Sequence, residues 1–164
     1  MDKRLFLSVC IGPFLVACSS LSRKPSSDAL TSQSYPNNLG KRQDIVMQAI
    51  AMLDLGYTYG GKKLHTGFDC SGFVAFVYKE SAGIALKGSA AQMAEATQSL
   101  DSPQAHPGDL VFFNTLGSSF SHVGIYIGDG KFVHAANERT GVKTERLSNS
   151  YWAKRFEGYR TIFA

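Results

Sequence analysis

Cys70 lies in the stretch Gly67-Phe68-Asp69-Cys70-Ser71-Gly72-Phe73, between an acid and a hydroxyl, with His122 and His134 far downstream. A thiol, an imidazole able to hold its proton and a second imidazole able to orient the first are the parts of nucleophilic acyl transfer. The same residue types serve other ends. An unpaired cysteine is often an inert core residue. Cys70, His122 and His134 could also share a zinc ion, although no C-x₂-C or closely spaced pair starts such a site. As a nucleophile, Cys70 stands where a helix should begin, with Asp69 near its N-cap. Backbone amides, the helix dipole and a nearby histidine would then depress the thiol from its usual value of about 8.5.

Around it, Tyr57 could offer a hydroxyl to a developing oxyanion or simply pack. Asp69 and Ser71 could receive a substrate ammonium, or Asp69 could serve only as a cap. Gly72 would keep the approach to the sulfur open. Ser71 lies in no G-x-S-x-G elbow, and Asp109, after Pro107-Gly108, reads as a turn residue.

The chain has three cysteines, and the other two bear on Cys70. Met1-Asp2-Lys3-Arg4 precedes an apolar run from Leu5 to Ala17, too short for a membrane span of about 20 residues and shaped like a secretory signal over residues 1–17. Leu15-Val16-Ala17-Cys18 resembles a bacterial lipobox, which implies cleavage before Cys18 and a lipid on its sulfur. Cys10 would leave with the signal and Cys18 would be blocked, so Cys70 has no partner within the chain. A lone thiol in an oxidising compartment calls for a use. Residues 18–40, rich in serine, read as a flexible tether. Ser19 after Cys18 resembles the pattern sorted to a Gram-negative outer membrane, so the protein is expected to face the periplasm from a lipid anchor. The net charge of +4 is scattered among acids, which leaves no stripe for nucleic acid.

Residues 41–164 are one domain's worth of chain. Lys41 to Leu55 carries Ile45, Ala49, Met52 and Leu53 at helical spacing, with Gly56 as a stop. Cys70 to Lys79 reads as a buried helix, and Ser89-Ala90-Ala91-Gln92 as a capping box opening a short one. Strands follow over 109–113, 121–127, 131–136, 142–147 and 156–163, with a short helix near 149–154. Helices first and strands after predict an α+β domain with an antiparallel sheet. His65 and His106 fall in loops. His122 and His134 lie on the two arms of a hairpin turning at Gly128-Asp129-Gly130. A two-residue turn would put them on opposite faces. A three-residue loop pairing Ile127 with Lys131 would set His122 opposite Ala136 and beside His134, with Asn137 pointing away.

The segments YTYGGKKLHTGFDCSGFVAFVY, HPGDLVFF, SHVGIYIGDGKFVHA and YWAKRFEGYR resemble the NlpC family of bacterial cell-wall cysteine peptidases, closest to lipid-anchored murein endopeptidases. The resemblance implies a papain-like cysteine peptidase core, with N-terminal helices on a five- to six-stranded antiparallel sheet. It implies Cys70 as nucleophile, His122 as base, His134 as third residue, Tyr57 on the oxyanion side, and no metal or other cofactor. The implied substrates are peptidoglycan stem peptides, cut next to diaminopimelate within a stem or at a cross-link. A monomer is expected. Where many members read L-P-R-S, this chain has Leu86-Lys87-Gly88-Ser89, a departure on the substrate side. Two other readings fit the same residues: a lipid-linked acyltransferase of the same fold and a non-catalytic wall-binding lipoprotein.

Overall fold

The computed structural model describes residues 37–163. The signal, Cys18 and most of the tether lie outside the described residues. Helix α1 spans Asn37–Ala51, starting four residues earlier than the periodicity predicted and stopping sooner. It buries Ile45 and Ala49, as their spacing requires, with Met52 just beyond its end. Gly56 is not its stop. The chain leaves the helix through a turn in which Asp54 takes φ 66°, and the Asp54 amide donates to the Val142 carbonyl across the domain. A two-stranded ribbon follows, β1 (Lys62–Lys63) with β2 (Gly67–Phe68), in a stretch the sequence presents as loop.

Helix α2, Cys70–Ala82, begins and ends on its own chemistry. The Asp69 side chain accepts the Gly72 amide at 2.6 Å, and Gly83 closes the helix at φ 68° by donating to the Lys79 carbonyl. Helix α3, Ala90–Glu95, opens on the expected capping box, with Ser89 and Gln92 exchanging hydrogen bonds. The strands β3 (Gln98–Leu100), β4 (Leu110–Phe113), β5 (His122–Gly128), β6 (Lys131–Asn137), β7 (Gly141–Arg146) and β8 (Phe156–Thr161) form one antiparallel sheet in the order β3-β8-β4-β5-β6-β7. Between β7 and β8 lies α4, Ser150–Ala153, capped by Asn149.

The sheet is covered on both faces. Leu110, Phe112, Val123, Ile125, Val133 and Val142 pack against the helices, while Val111, Phe113, Phe132 and Tyr159 pack with Trp152 from α4. That explains why β4 reads Leu-Val-Phe-Phe without polar alternation. Asp109 is more than a turn residue. It is fully buried just before β4, pairs with Arg42 of α1 at 2.7 Å and accepts the His106 amide at 2.8 Å.

The β5–β6 hairpin reaches the predicted facing by another route. Its turn is the two-residue kind, Asp129-Gly130, both at positive φ as a type I′ turn requires, with Gly128 paired to Lys131. A bulge at Ile127 then adds one residue to β5, so that Tyr126 pairs with Phe132 and Ile125 with Val133. The bulge, not a longer loop, brings His122 and His134 to the same side.

Candidate active site

Cys70 is the first residue of α2, and its side chain is partly buried against the start of β5. The Val123 backbone amide, and more weakly those of Ser71 and of Cys70 itself, favour the thiolate form of the sulfur. His122, the first residue of β5, lines the same cavity of about 410 Å³. His122 Nε2 lies 2.7 Å from His134 Nδ1, and both rings are buried. One nitrogen of His122 is thereby committed to His134, which leaves Nδ1 as the nitrogen for a proton from the sulfur. Trp152 stacks near His122, with ring centroids 5.5 Å apart, and stands edge-on to His134 at 4.8 Å. Among the described residues nothing hydrogen-bonds the buried Nε2 of His134.

The electrostatics differ from the expected depressed thiol. Burial pushes the Cys70 thiol above its ordinary value and outweighs the Val123 amide, which favours the thiolate; the Asp69 carboxylate adds to the rise. Burial also lowers His122 to about 4, against a smaller opposing pull from Asp69. His134 is lowered by burial, by His122 and by Lys143, its partner in register across β6 and β7. The resting pair at neutral pH is therefore a thiol and a neutral imidazole, and the proton moves as the sulfur attacks.

Of the other predicted residues, Tyr57, Asp69 and Ser71 all line the Cys70 cavity. Burial, then Cys70 and Asp69, raise the Tyr57 hydroxyl. Ser71 donates to Asp69 Oδ1 at 3.0 Å, the oxygen that also caps α2. Asp69 thus serves as a cap while its other oxygen stays free of those bonds. Gly72 does not open the approach to the sulfur. It is buried away from the cavity, and a β-carbon there would lie 2.0 Å from the Gly61 carbonyl oxygen, so its bareness lets the preceding loop close against α2. Asn137 caps the β6–β7 turn by accepting the Arg139 and Thr140 amides, and His65 and His106 are exposed. Among the described residues no group of three or more His, Cys, Asp or Glu could hold a metal ion. Sequence reasoning missed the Val123 amide, which no residue type announces. It also missed Trp152, whose motif YWAKRFEGYR carried the family likeness without a role.

Residues 54–161 match the model of the NlpC/P60 family. The chain belongs to the NlpC/P60 family. Among its relatives, the gamma-DL-glutamyl hydrolase of Bacillus subtilis (strain 168) is 36% identical over 117 residues, covering 71% of this chain and 28% of that protein. The murein DD-endopeptidase MepH of Escherichia coli (strain K12) is 35% identical over 109 residues, covering 65% and 40%. The solved structure of a lipoprotein-like NLP/P60 family protein from Staphylococcus aureus subsp. aureus Mu50 superposes with a TM-score of 0.66 at 34% identity, covering 76% of this chain and 42% of that one. The chain spans less than half the length of both curated relatives. The shared NlpC/P60 fold is the α+β arrangement described above, with its six-stranded antiparallel sheet.

Proposed function

We propose that this NlpC/P60 chain is a cysteine endopeptidase that cleaves amide bonds in peptidoglycan stem peptides through an acyl-enzyme on Cys70. The observation that carries this reading is His122, lining one cavity with the thiol at a helix N-terminus while its Nε2 is tied to the buried His134 Nδ1 at 2.7 Å. The sulfur attacks the scissile carbonyl as its proton passes to His122 Nδ1. His122 then gives that proton to the leaving nitrogen, the C–N bond breaks, and a thioester remains on Cys70. Water, deprotonated by His122, attacks the thioester, and the carboxylic acid and free thiol are restored. Tyr57 supplies a hydroxyl to the oxyanion, and Asp69 with Ser71 takes an ammonium on the acyl side.

The names of the relatives support a peptidoglycan substrate, and cleavage next to diaminopimelate is part of the proposal. So is a lipid anchor on Cys18 holding the domain at the outer membrane, which the lipobox-like residues 15–18 support. The deciding experiment incubates purified protein with defined muropeptides and follows the products by mass. The native protein is expected to release a new amine and acid, and Cys70→Ala to release neither. Undiminished cleavage by Cys70→Ala would sink the reading.

A further inference from the structure

The tied pair of imidazoles brings no negative charge to the reaction. His122 rests with its proton on Nε2, donated to His134 Nδ1 at 2.7 Å. His134, held neutral by burial and by its charged neighbours, therefore carries its own proton on Nε2. That nitrogen is buried, and nothing among the described residues hydrogen-bonds it. If the chain cleaves amides as proposed, and this inference rests on that reading, His122 takes the sulfur's proton at Nδ1 and becomes an imidazolium. The ring that gains this charge is buried, and a charge formed where water is scarce needs a partner.

The groups that face His122 leave few candidates. Tyr57, Asp69 and Cys70 share its cavity on one side, while Lys143 and Glu145 share another on the other side. Of the two carboxylates, Glu145 is joined to Lys143. Asp69 is engaged at the start of α2, where its Oδ1 accepts both the Ser71 hydroxyl and the Gly72 amide. What lies against the ring itself is Trp152. The two centroids are 5.5 Å apart and the planes only 31° from parallel, so the imidazole overlies the indole face. His134 stands at 85° to the same indole and cannot stack on it. Phe113 at 4.8 Å and Phe132 at 5.2 Å hold the indole in this attitude, and it too is buried. A tryptophan face within about 6 Å of a cation attracts it, most strongly where water is excluded.

We propose that Trp152 is a positioning residue of the reaction, its indole face receiving the imidazolium that forms on His122 in place of the carboxylate that the His134 position lacks. The face favours the charged ring over the neutral one, so it acts on the proton transfer and not on the resting pair. It does so without a hydrogen bond, which leaves His122 Nδ1 free for the sulfur and then for the leaving nitrogen.

Trp152 is the chain's single tryptophan, so a tryptophan analogue supplied during synthesis changes this position alone. Each fluorine added to the indole weakens its face toward cations and leaves its size and packing nearly as they were. Proteins carrying tryptophan or its mono-, di- and trifluorinated forms are compared on defined muropeptides at neutral pH, by single-turnover cleavage and by urea unfolding. The cleavage rate is expected to fall stepwise, by about tenfold at the third fluorine, with half-saturation and unfolding midpoints nearly unmoved. Trp152→Phe, which keeps a weaker face, should fall between the native protein and Trp152→Leu. A rate indifferent to fluorine, or a loss confined to half-saturation or to stability, would overturn the inference and leave the peptidase reading standing. Undiminished cleavage by Cys70→Ala, or none by the native protein, would overturn that reading and this inference with it.

Discussion

His122 enters the reaction as a neutral base, and burial sets where it stops being one. With its titration lowered to about 4, kcat/KM should hold its plateau well below pH 6 and fall only toward pH 4. A pH–rate profile breaking near the ordinary 6.5 would mean that the ring is solvated before substrate arrives. The raised thiol predicts the opposite limb: alkylation of Cys70 by iodoacetamide should keep accelerating past pH 9, with no plateau at neutrality. The same burial costs stability in acid. Both histidines titrate lower folded than unfolded, so as pH falls below 6.5 the unfolded chain takes up protons that the folded one refuses. Stability should therefore decline between about pH 6.5 and 4, by about 1.4 kcal/mol per pH unit for each such histidine. Urea titrations of His122→Gln across that window should show a shallower decline than the native protein. This residue-scale chemistry was only half legible in the sequence. The residue types could be read directly, but their shared facing only as a condition on the hairpin, because the two-residue turn alone would part them and the bulge at Ile127 restores the facing. The direction of the thiol's shift could not, because it depends on how much water the folded chain removes from around the sulfur.

At the scale of elements, the site depends on close approaches that particular residues permit. Gly124 follows His122 on the same face of β5, and a β-carbon there would lie 2.8 Å from the Phe132 ring and 3.3 Å from the β-carbon of His134. Gly124→Ala is expected to destabilise the fold by about 1–3 kcal/mol and to reduce kcat by moving β6 and His134 with it. Thermal melts together with kinetics would separate the two effects. The caps of α2 and α3 were legible because Asp69, Gly83 and the Ser89–Gln92 pair act through their own neighbours. The bulge at Ile127 was not, since two hairpins of different construction give the same facing. Nor was β3, a strand with exposed Gln98 and Ser99 that, among the described residues, is laddered with β8 alone. Its apolar content is too low for any periodicity to reveal it.

For the molecule as a whole, the helices and the sheet are tied by one buried ion pair. Arg42 reaches from α1 to Asp109, to the Thr161 hydroxyl at 3.1 Å and over the Phe163 ring. Arg42→Met would strand a buried carboxylate. It should cost about 3–5 kcal/mol in urea unfolding, with α1 and the sheet still lost in one transition, whereas replacing both partners by apolar residues should recover much of that. Sequence reading assigned neither partner this role, because the two are distant in the chain and each looks ordinary alone.

The sheet order carries a consequence in time. The last strand among the described residues, β8, does not lie at an edge but between β3 and β4, with Gln98 to Leu100 on one side and Leu110 to Phe113 on the other. A ribosome delivers residues 156–161 after every other element of the domain has been made, so a growing chain cannot complete the sheet that carries His122 and His134. Trp152, which covers both rings, arrives almost as late. Through most of its synthesis the polypeptide would lack the assembled thiol and imidazole pair, and the amide cleavage proposed for it would begin only once this segment had zipped into the middle of the sheet.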